Sequence, residues 1–543
     1  MPPRKAASGP TKRQAAVTKA APKRKAASGG DTVIPPATTT TTTTTKFRTR
    51  TNKSPHPAPD EADKPPSRPT KRARTAKDQP KPKPKPATTK RAPVSVPRAT
   101  PSSAKLNARP ARTLDVYVFG DGSFGELGLG HKTATATRRD RSGGEEKTAK
   151  LRPCDVRRPR LNPVLSSAGT VQVACGGMHA AALTREGRVL TWGVNDEKAL
   201  GRETGGWEGG GDEEDEDDEE GLDPYEAMPG EVQGLGEVME EGEEVVAVAA
   251  ASSATFVLTD RGGVYGWGTF RASDGVFGFS PTSRIQATPA RVPGLSRITA
   301  LAAGANHMLA LDAAGRVLTW GANDQLQLGR RGRRRETLLV PRACGRAQRA
   351  VAVFAGAYHS FYVDDAGRLW GWGLNNFSQT GHVEEVGVDM AIVQSPKVVE
   401  KLRGRRVERV AAGQHHLVVM VEGGETLVWG RVDGHRLGVR PEVLDEENTV
   451  FDEHGKPRIL VEPTALPGLR SSFITSCSDT TIAVTPEGEA YSWGFSENLQ
   501  TGQGTQDDVE IPTKIEAPDL VGKKLVWAGL GGQYGMLASV REE

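Results

Sequence analysis

The chain has 543 residues, of which 63 are glycine and 37 are proline, and its formal net charge is +5. Residues 1–112 hold 27 Lys and Arg against 5 Asp and Glu, whereas residues 113–543 hold 45 against 62, so the small sum hides two parts of opposite sign. Four dispersed cysteines without a C-x-x-C pair disfavour a disulfide framework or a structural zinc site. Because no apolar run approaches about eighteen residues and the start lacks an apolar core, we expect a soluble intracellular protein without membrane segments.

Residues 1–112 are rich in Lys, Arg, Pro and Thr and poor in apolar side chains. Such a segment buries too little apolar surface to offset the entropy of ordering, so it is predicted to be a disordered tail. Its basic clusters are typical of sites for a nuclear import receptor or for DNA phosphates. The residues concerned are Lys23, Arg24, Lys25, Lys71, Arg72 and Arg74. We interpret the tail as a nuclear localisation and chromatin-binding arm, with a solvated linker as the alternative.

From residue 113 onward, a segment of roughly fifty residues recurs seven times. Each copy has a Gly-x-x-His-like start, an alternating apolar strand, a Gly turn and a closing Trp-Gly, as in Leu301–Gly329. Six copies carry the Trp-Gly pair, and "VFG" at Phe119 is the first equivalent. The tryptophans are Trp192, Trp267, Trp320, Trp372, Trp429 and Trp493. Four-stranded units repeated around an axis predict an all-β propeller with the tryptophans packed between neighbouring sheets.

Three details of the repeat carry further expectations. The Leu-Gly after each Trp-Gly is expected to end a short fourth strand. The last copy, Leu525–Val540, lacks its outer strands, and Leu114–Gly130 supplies them, so the two ends of residues 113–543 are predicted to share one blade. Four histidines are placed at one repeat position with a structural role, bonded to backbone at the inner edge of a blade. They are His179, His307, His359 and His415.

Two charged segments interrupt the repeat. An acidic insertion at about residues 205–222 lengthens the interval between Trp192 and Trp267. It is either a solvated loop or a functional segment that competes with DNA for the basic tail or contacts basic surfaces of histones. The basic run Gly329–Glu336 is expected to contact nucleic acid or simply to flank Arg330.

"GDGSFG" at Gly120–Gly125 matches a dinucleotide-binding pattern, but no helix follows it, so we interpret it as a turn of the blade. No other nucleotide, metal or hydrolase motif occurs, and we expect no cofactor and no metal.

The segment Gly176–Arg202, repeated with a period near fifty, resembles the regulator of chromosome condensation family, and the resemblance covers about residues 114–540. It implies a seven-bladed propeller. The basic tail and the extra stretch in Trp267–Pro281 are similar to the founding, fungal-type branch, whose members are nuclear guanine nucleotide exchange factors for the small GTPase Ran. The resemblance therefore implies a chromatin-associated nuclear regulator of a GTPase that makes and breaks no covalent bonds and supports nucleocytoplasmic transport and mitosis. A propeller scaffold without exchange activity is the alternative.

The resemblance also implies site residues. The extra stretch matches the family's β-wedge, which enters the GTPase beside the nucleotide phosphates. Its residues are Arg271, Ala272, Ser273, Asp274, Gly275, Val276, Phe277 and Gly278. Asn306 stands where the family has its main exchange-promoting aspartate, Arg330 matches a top-face arginine, and His179 and His415 match positions near the binding face. Two departures favour the scaffold, namely Ala251–Ala254 in place of an Asp and a His, and Ser378 in place of a His.

Overall fold

The computed structural model describes residues 105–130, 155–204, 222–345 and 349–542, and the backbone of residues 134–137 and 148–151. Alternating β-branched and small apolar residues, punctuated by Gly turns, form antiparallel strands that assemble into seven sheets around one axis. The fold is a seven-bladed β-propeller, as predicted. The basic tail residues from Lys23 to Arg74 lie outside the described residues, and so does the acidic insertion over residues 205–221.

Blades are numbered here in chain order, with strands counted outward from the axis. Blade 2 comprises Thr170–Cys175, His179–Thr184, Val189–Gly193 and Gly230–Glu231. Blade 3 comprises Val245–Ala250, Ala254–Thr259, Val264–Gly268 and Gln286–Arg291. Blade 4 comprises Ile298–Ala303, His307–Asp312, Val317–Gly321 and Arg342–Ala343. Blade 5 comprises Ala350–Ala355, His359–Asp364, Leu369–Leu374 and Ile392–Val398. Blade 6 comprises Val407–Ala412, His416–Val421, Glu425–Arg431, Pro457–Arg470 and a fifth strand, Thr449–Phe451. Blade 7 comprises Phe473–Cys477, Thr480–Val484, Ala490–Gly494 and Val509–Lys514.

Blade 1 joins the two ends of the propeller. Its inner strands are Leu525–Leu530 and Tyr534–Val540, and its outer strands are Leu114–Asp121 and Asp155–Leu161. Leu114–Asp121 pairs antiparallel with Tyr534–Val540 over seven residue pairs. The C-terminal copy thus supplies two strands, one more than its sequence indicated. This closure leaves no unpaired strand between the first and last copies.

Each tryptophan of the repeat is buried between its own blade and the preceding one. The indole N–H of Trp267 donates to the Ala199 carbonyl at 2.7 Å, and that of Trp372 donates to the Gln327 carbonyl at 2.8 Å. The Leu-Gly pairs in blades 2, 4 and 6 lie in turns and do not end a strand, which corrects the prediction; they are Leu200–Gly201, Leu328–Gly329 and Leu437–Gly438. Gly201 has a positive φ of 63°, and a Cβ there would lie 2.7 Å from the Trp267 indole nitrogen, so the position requires glycine on both grounds.

Short helical turns connect the strands. The α-helices are Pro163–Ser167, Pro224–Ala227, Leu235–Val238 and Arg335–Leu338. The 3-10 helices are Glu400–Leu402, Pro441–Val443 and Pro518–Leu520. Two further antiparallel strand pairs lie outside the seven sheets, one of Ala134–Thr137 with Thr148–Leu151 and one of Phe270–Ala272 with Gly275–Gly278. Within the described ranges, no helix has the length and apolarity needed to cross a membrane, and no group of His, Cys, Asp or Glu could hold a metal ion.

Residues 105–112, which the sequence assigned to the basic tail, are bonded to the propeller. The backbone N–H groups of Leu106 and Asn107 donate to the Asp260 carbonyl at 2.6 and 2.9 Å. The Asn107 side chain donates to the Ile298 carbonyl at 2.8 Å, and Arg109 donates to the Val245 carbonyl at 2.8 Å. This segment, called the strap, links blades 3 and 4, so bonding to the propeller extends upstream of residue 113.

Candidate functional site

The candidate site lies at one end of the propeller, called the upper face. This face is formed by the turns between the first and second strands of each blade, such as Gly304–Asn306, and by the loops that follow each Trp-Gly. The turns between the second and third strands, such as Asp260–Gly263, form the opposite face. Because Gly268 pairs with Ala254, the third strand of blade 3 ends at the upper face. The hairpin that contains the predicted wedge begins two residues later, at Phe270, so it projects from this face.

The wedge is a short two-stranded hairpin, Phe270–Gly278, anchored by aromatic packing at its base. Phe270 and the adjoining Phe279 are buried, and each stacks on Phe256 with ring centroids 5.9 Å apart. Between these anchors, Arg271 and Asp274 are exposed. The aromatic base belongs to the core of blade 3, whereas the tip is free to meet another molecule.

Side chains from three blades hold the hairpin in place. The Asn306 amide oxygen accepts from the Arg271 backbone N–H at 2.7 Å, and the Arg271 guanidinium donates to the Glu197 carboxylate at 2.5 Å. Arg284 donates to the Val276 carbonyl at 2.8 Å, and Arg335 donates to the Phe277 carbonyl at 3.1 Å. A two-stranded hairpin is marginally stable by itself in water, so these bonds select one position for it.

Asn306 and the wedge are thus in direct contact, although 35 residues separate Asn306 from Arg271 in the chain. The amide oxygen of Asn306 is already an acceptor for the hairpin backbone, a role that an aspartate carboxylate at this position could also perform. Asn306 therefore acts on the hairpin in the unbound protein. Glu197, at the start of the equivalent loop of blade 2, is a residue that the sequence analysis missed, because only the bond to Arg271 distinguishes it from other loop carboxylates.

Arg330 does not present its guanidinium at the surface, contrary to the expectation from the resemblance. The group donates to the carbonyls of Thr319, Leu338 and Val340 at 3.0 to 3.1 Å. Burial lowers its pKa to about 10, with nearby Arg342 contributing, and at neutral pH it stays charged. Arg202 in blade 2 makes matching bonds to the carbonyls of Thr191 and Met228. Arg330 is therefore a structural residue that holds the loop following it.

The histidines also require correction. In blades 2, 4, 5 and 6, one histidine of the second strand lies opposite the Gly of Trp-Gly in the third strand. This histidine is His179 in blade 2, His307 in blade 4 and His359 in blade 5, but in blade 6 it is His416 and not His415. His415 lies one position earlier, equivalent to Asn306, so the two belong to the same ring of turn residues on the upper face.

The buried histidines link neighbouring blades. His179 and Thr255 share a hydrogen bond of 2.9 Å, and His416 and Thr481 share one of 3.0 Å. His307 likewise bonds the Ser360 hydroxyl of the next blade at 2.7 Å, whereas neither ring nitrogen of His359 has a hydrogen-bond partner among the described residues. The buried rings are therefore structural, and the partners that join blades are hydroxyl groups. Burial lowers the pKa of His179 to about 4, and its side chain is only 1% exposed, so His179 is not part of a binding surface.

His415 is the half-buried member of a polar and aromatic cluster on blades 5 and 6. Its ring lies 5.0 Å from that of Phe377, and the Arg431 guanidinium lies 5.0 Å from the Phe377 ring. Arg431 forms two bonds to the Asp433 carboxylate, of 2.5 and 2.6 Å. Burial, together with Arg431 and Arg436, lowers the pKa of His415 to about 4, so the ring is neutral at physiological pH.

This cluster includes charged residues that the sequence analysis missed. Arg436 donates to the Asp479 carboxylate at 2.6 Å, which links blade 6 to blade 7. A signal was present in the repeat, because Arg436 stands where other blades have a buried glutamine, namely Gln327, Gln379 and Gln500. Ser378, where a top-face histidine was expected, is buried and donates to the His382 carbonyl at 2.9 Å.

Comparison with known proteins places these features in a family. A family model described as the RCC1-like domain matches residues 115–537. The chain belongs to this family. Members of the RCC1-like family with similar sequences include Protein pim1 of Schizosaccharomyces pombe, 38% identical over 454 residues that cover 82% of this chain and 78% of the relative. The guanine nucleotide exchange factor SRM1 of Saccharomyces cerevisiae is 35% identical, with 79% and 88% covered.

Solved structures of RCC1-like proteins share the propeller. Prp20p of Saccharomyces cerevisiae, whose binding properties to Gsp1p and histones accompany its crystal structure, superposes with a TM-score of 0.70 and 34% identity. The match covers 80% of this chain and 93% of Prp20p. The crystal structure of Kap60 bound to the same yeast protein gives a TM-score of 0.70 and 33% identity, with 84% and 97% covered. The predicted family is thereby confirmed.

Proposed function

We propose that this chain is a guanine nucleotide exchange factor for a Ran-type small GTPase. The observation that carries the proposal is the hairpin Phe270–Gly278, which projects from the upper face and is held there by Asn306 and Glu197. A similar member of the family is named as a guanine nucleotide exchange factor, and another has been studied for its binding to Gsp1p. The proposed contact residues are Arg271–Gly278, with Asn306 as their support and His415 on the same face.

The proposed mechanism is a negative coupling between two ligands of the GTPase. Contacts between the hairpin and the nucleotide-free GTPase are lost when nucleotide phosphates return, so the exchange factor and the nucleotide weaken each other's binding by the same factor. No covalent bond is made or broken, and no cofactor is needed. A hairpin already held in position loses little conformational entropy on binding, so more of its contact energy is available to displace the nucleotide.

We further propose that the protein acts in the nucleus, bound to chromatin. The +22 charge of residues 1–112 suits DNA phosphates and a nuclear import receptor, and similar proteins have been studied with histones and with Kap60. The strap meets the propeller at Asp260, on the face opposite the hairpin. Chromatin held through residues near the strap would therefore leave the upper face open to a GTPase, in line with a role in nucleocytoplasmic transport and mitosis.

Release of labelled GDP from a Ran-type GTPase, with and without residues 105–543, tests the exchange activity. We expect catalytic amounts of protein to accelerate release many-fold. No acceleration at protein concentrations that saturate binding would favour the alternative, a propeller scaffold that binds chromatin or other proteins without exchange. A chain in which Arg271–Gly278 is replaced by a Gly-Ser turn is the matched control, because the buried Phe270 and Phe279 are kept.

A further inference from the structure

The loop that follows Arg330 in blade 4 carries three exposed arginines, Arg331, Arg333 and Arg334. Within the described parts of the chain, none of their guanidinium groups has a hydrogen bond or an ion pair. Their setting is unusual for this domain, because residues 113–543 carry 62 Asp and Glu against 45 Lys and Arg. Three like charges without carboxylate partners create a local positive potential on an acidic propeller.

The loop is held beside the hairpin by its own flanking arginines. The half-buried Arg330 donates to the carbonyls of Leu338 and Val340, which fixes the path of the loop from inside. At the other end, Arg335 donates to the Phe277 carbonyl of the hairpin at 3.1 Å. The three exposed arginines and the hairpin therefore form one contiguous surface, and a molecule that meets the hairpin also meets these charges.

We propose that Arg331, Arg333 and Arg334 form a docking surface for a carboxylate-rich surface of the protein that the hairpin engages. This inference rests on the proposed function. A nucleic acid fits this surface less well than an acidic protein surface, because DNA on this loop would occlude the adjacent hairpin, to which Arg335 is bonded.

The arginines are solvent-exposed, so their contribution is to the encounter and not to the displacement of the nucleotide. Charges at the rim of an interface mainly change the association rate and its salt dependence. Loss of these charges should therefore lower kcat/KM for nucleotide exchange and leave kcat unchanged. Salt should reduce this effect, because the Debye length falls from about 10 Å at 0.1 M to about 3 Å at 1 M.

The test compares two charge-reversal variants of equal net charge. The first is R331E/R333E/R334E. The second, R297E/R403E/R406E, changes exposed arginines near the turns of the opposite face, where Arg297 packs at Gly262 and Arg406 at Gly367. Exchange on a Ran-type GTPase is measured from low to high salt, and binding of the full chain to a short DNA duplex is measured in parallel. Thermal melts check that both variants fold.

We expect the first variant to lose roughly tenfold in kcat/KM at low salt, with the loss falling below about twofold near 1 M salt, and the second to stay close to wild type. A variant with lysine at all three positions should keep most of the rate. The proposal would be overturned if both variants lost the same factor in kcat/KM, or if the kcat/KM of the first variant depended on salt as that of the wild type does. Loss of DNA affinity with unchanged exchange would instead assign the loop to nucleic acid. An inactive wild-type protein would contradict the proposed function itself.

Discussion

Asn306→Ala tests whether the hairpin must be held in place for exchange. The substitution removes the acceptor of the Arg271 backbone N–H, a hydrogen bond of 2.7 Å. A bond of this kind contributes about 0.5–1.5 kcal/mol net, because the freed N–H of an exposed residue can bond to water. Since about 1.4 kcal/mol corresponds to a factor of ten, the equilibrium constant between the correctly placed hairpin and its other positions should fall about two- to tenfold. A two-stranded hairpin is only marginally stable by itself, so the fraction that is correctly placed should fall with this constant.

The expected result is a two- to tenfold loss of kcat/KM with little loss of global stability. Because the buried Phe270 and Phe279 are unchanged, the melting temperature should fall by no more than about 6 °C. Hydrogen exchange should quicken at the Arg271 amide. Asn306→Asp keeps an acceptor and makes the bond charge-assisted, so its rate should equal or exceed that of wild type. Gln414→Ala, in the equivalent turn of blade 6, is the control and should leave the rate unchanged.

Wild-type kinetics for Asn306→Ala would refute the reasoning, because they would mean that the hairpin keeps its position without this bond. An Asn306→Asp variant as slow as Asn306→Ala would also refute it, since both variants would then fail despite the acceptor in one of them. If Asn306→Ala lowers kcat/KM by well over tenfold while the hydrogen-exchange rate of the Arg271 amide stays unchanged, Asn306 contacts the GTPase directly.

Replacing Arg271–Gly278 by a Gly-Ser turn should abolish GDP release while the thermal melt stays cooperative and within a few degrees of wild type; retained exchange would contradict the wedge assignment. Deleting Leu114–Gly130 removes a strand paired on both sides in blade 1, so it should abolish cooperative unfolding measured by calorimetry or circular dichroism, and a folded product would argue against closure through this blade. Burial raises the pKa of Glu126 from 4.5 to about 7, so the folded state holds this proton more tightly than the unfolded chain and stability falls as pH rises from about 4.5 to about 7. Blades 4, 5 and 7 have glutamine at the position equivalent to Glu126. Glu126→Gln should therefore raise the free energy of unfolding by up to about 3 kcal/mol at pH 8 and by much less at pH 5. Equal shifts of the denaturant midpoint at both pH values would contradict the raised pKa of Glu126.

Most of the fold could be predicted because the signals of a propeller blade are local. Alternating apolar residues, a Gly turn and Trp-Gly recur within one copy, and the incomplete copies at the two ends complement each other. The fourth strands were harder to locate, since they are as short as Gly230–Glu231 and follow connections of variable length. The Leu-Gly that was taken for a strand end is a turn whose glycine fits beneath the tryptophan of the next blade.

The candidate site was predicted only in part. The hairpin was recognisable because Arg271–Gly278 is an insertion relative to the other copies. Neighbouring histidines were not distinguishable in sequence, and His415 was assigned the position that His416 occupies. The strand register decides this, because His416 pairs with Gly430 and points into the core, whereas His415 belongs to the turn. Likewise, only burial separates the structural Arg330 from the exposed arginines beside it.

The amino-acid sequence by itself determined the seven-bladed architecture, the shared blade and the family, because each rests on a pattern that repeats within about fifty residues. The tertiary structure decided which loops meet on the upper face. Glu197, Arg271 and Asn306 lie on three different blades and are brought together only when the sheets pack around the axis. The hairpin and the polar groups that hold it form one site for this reason. Unlike the packing of the repeated tryptophans between blades, the contacts among these three residues occur once and leave no periodic trace in the chain.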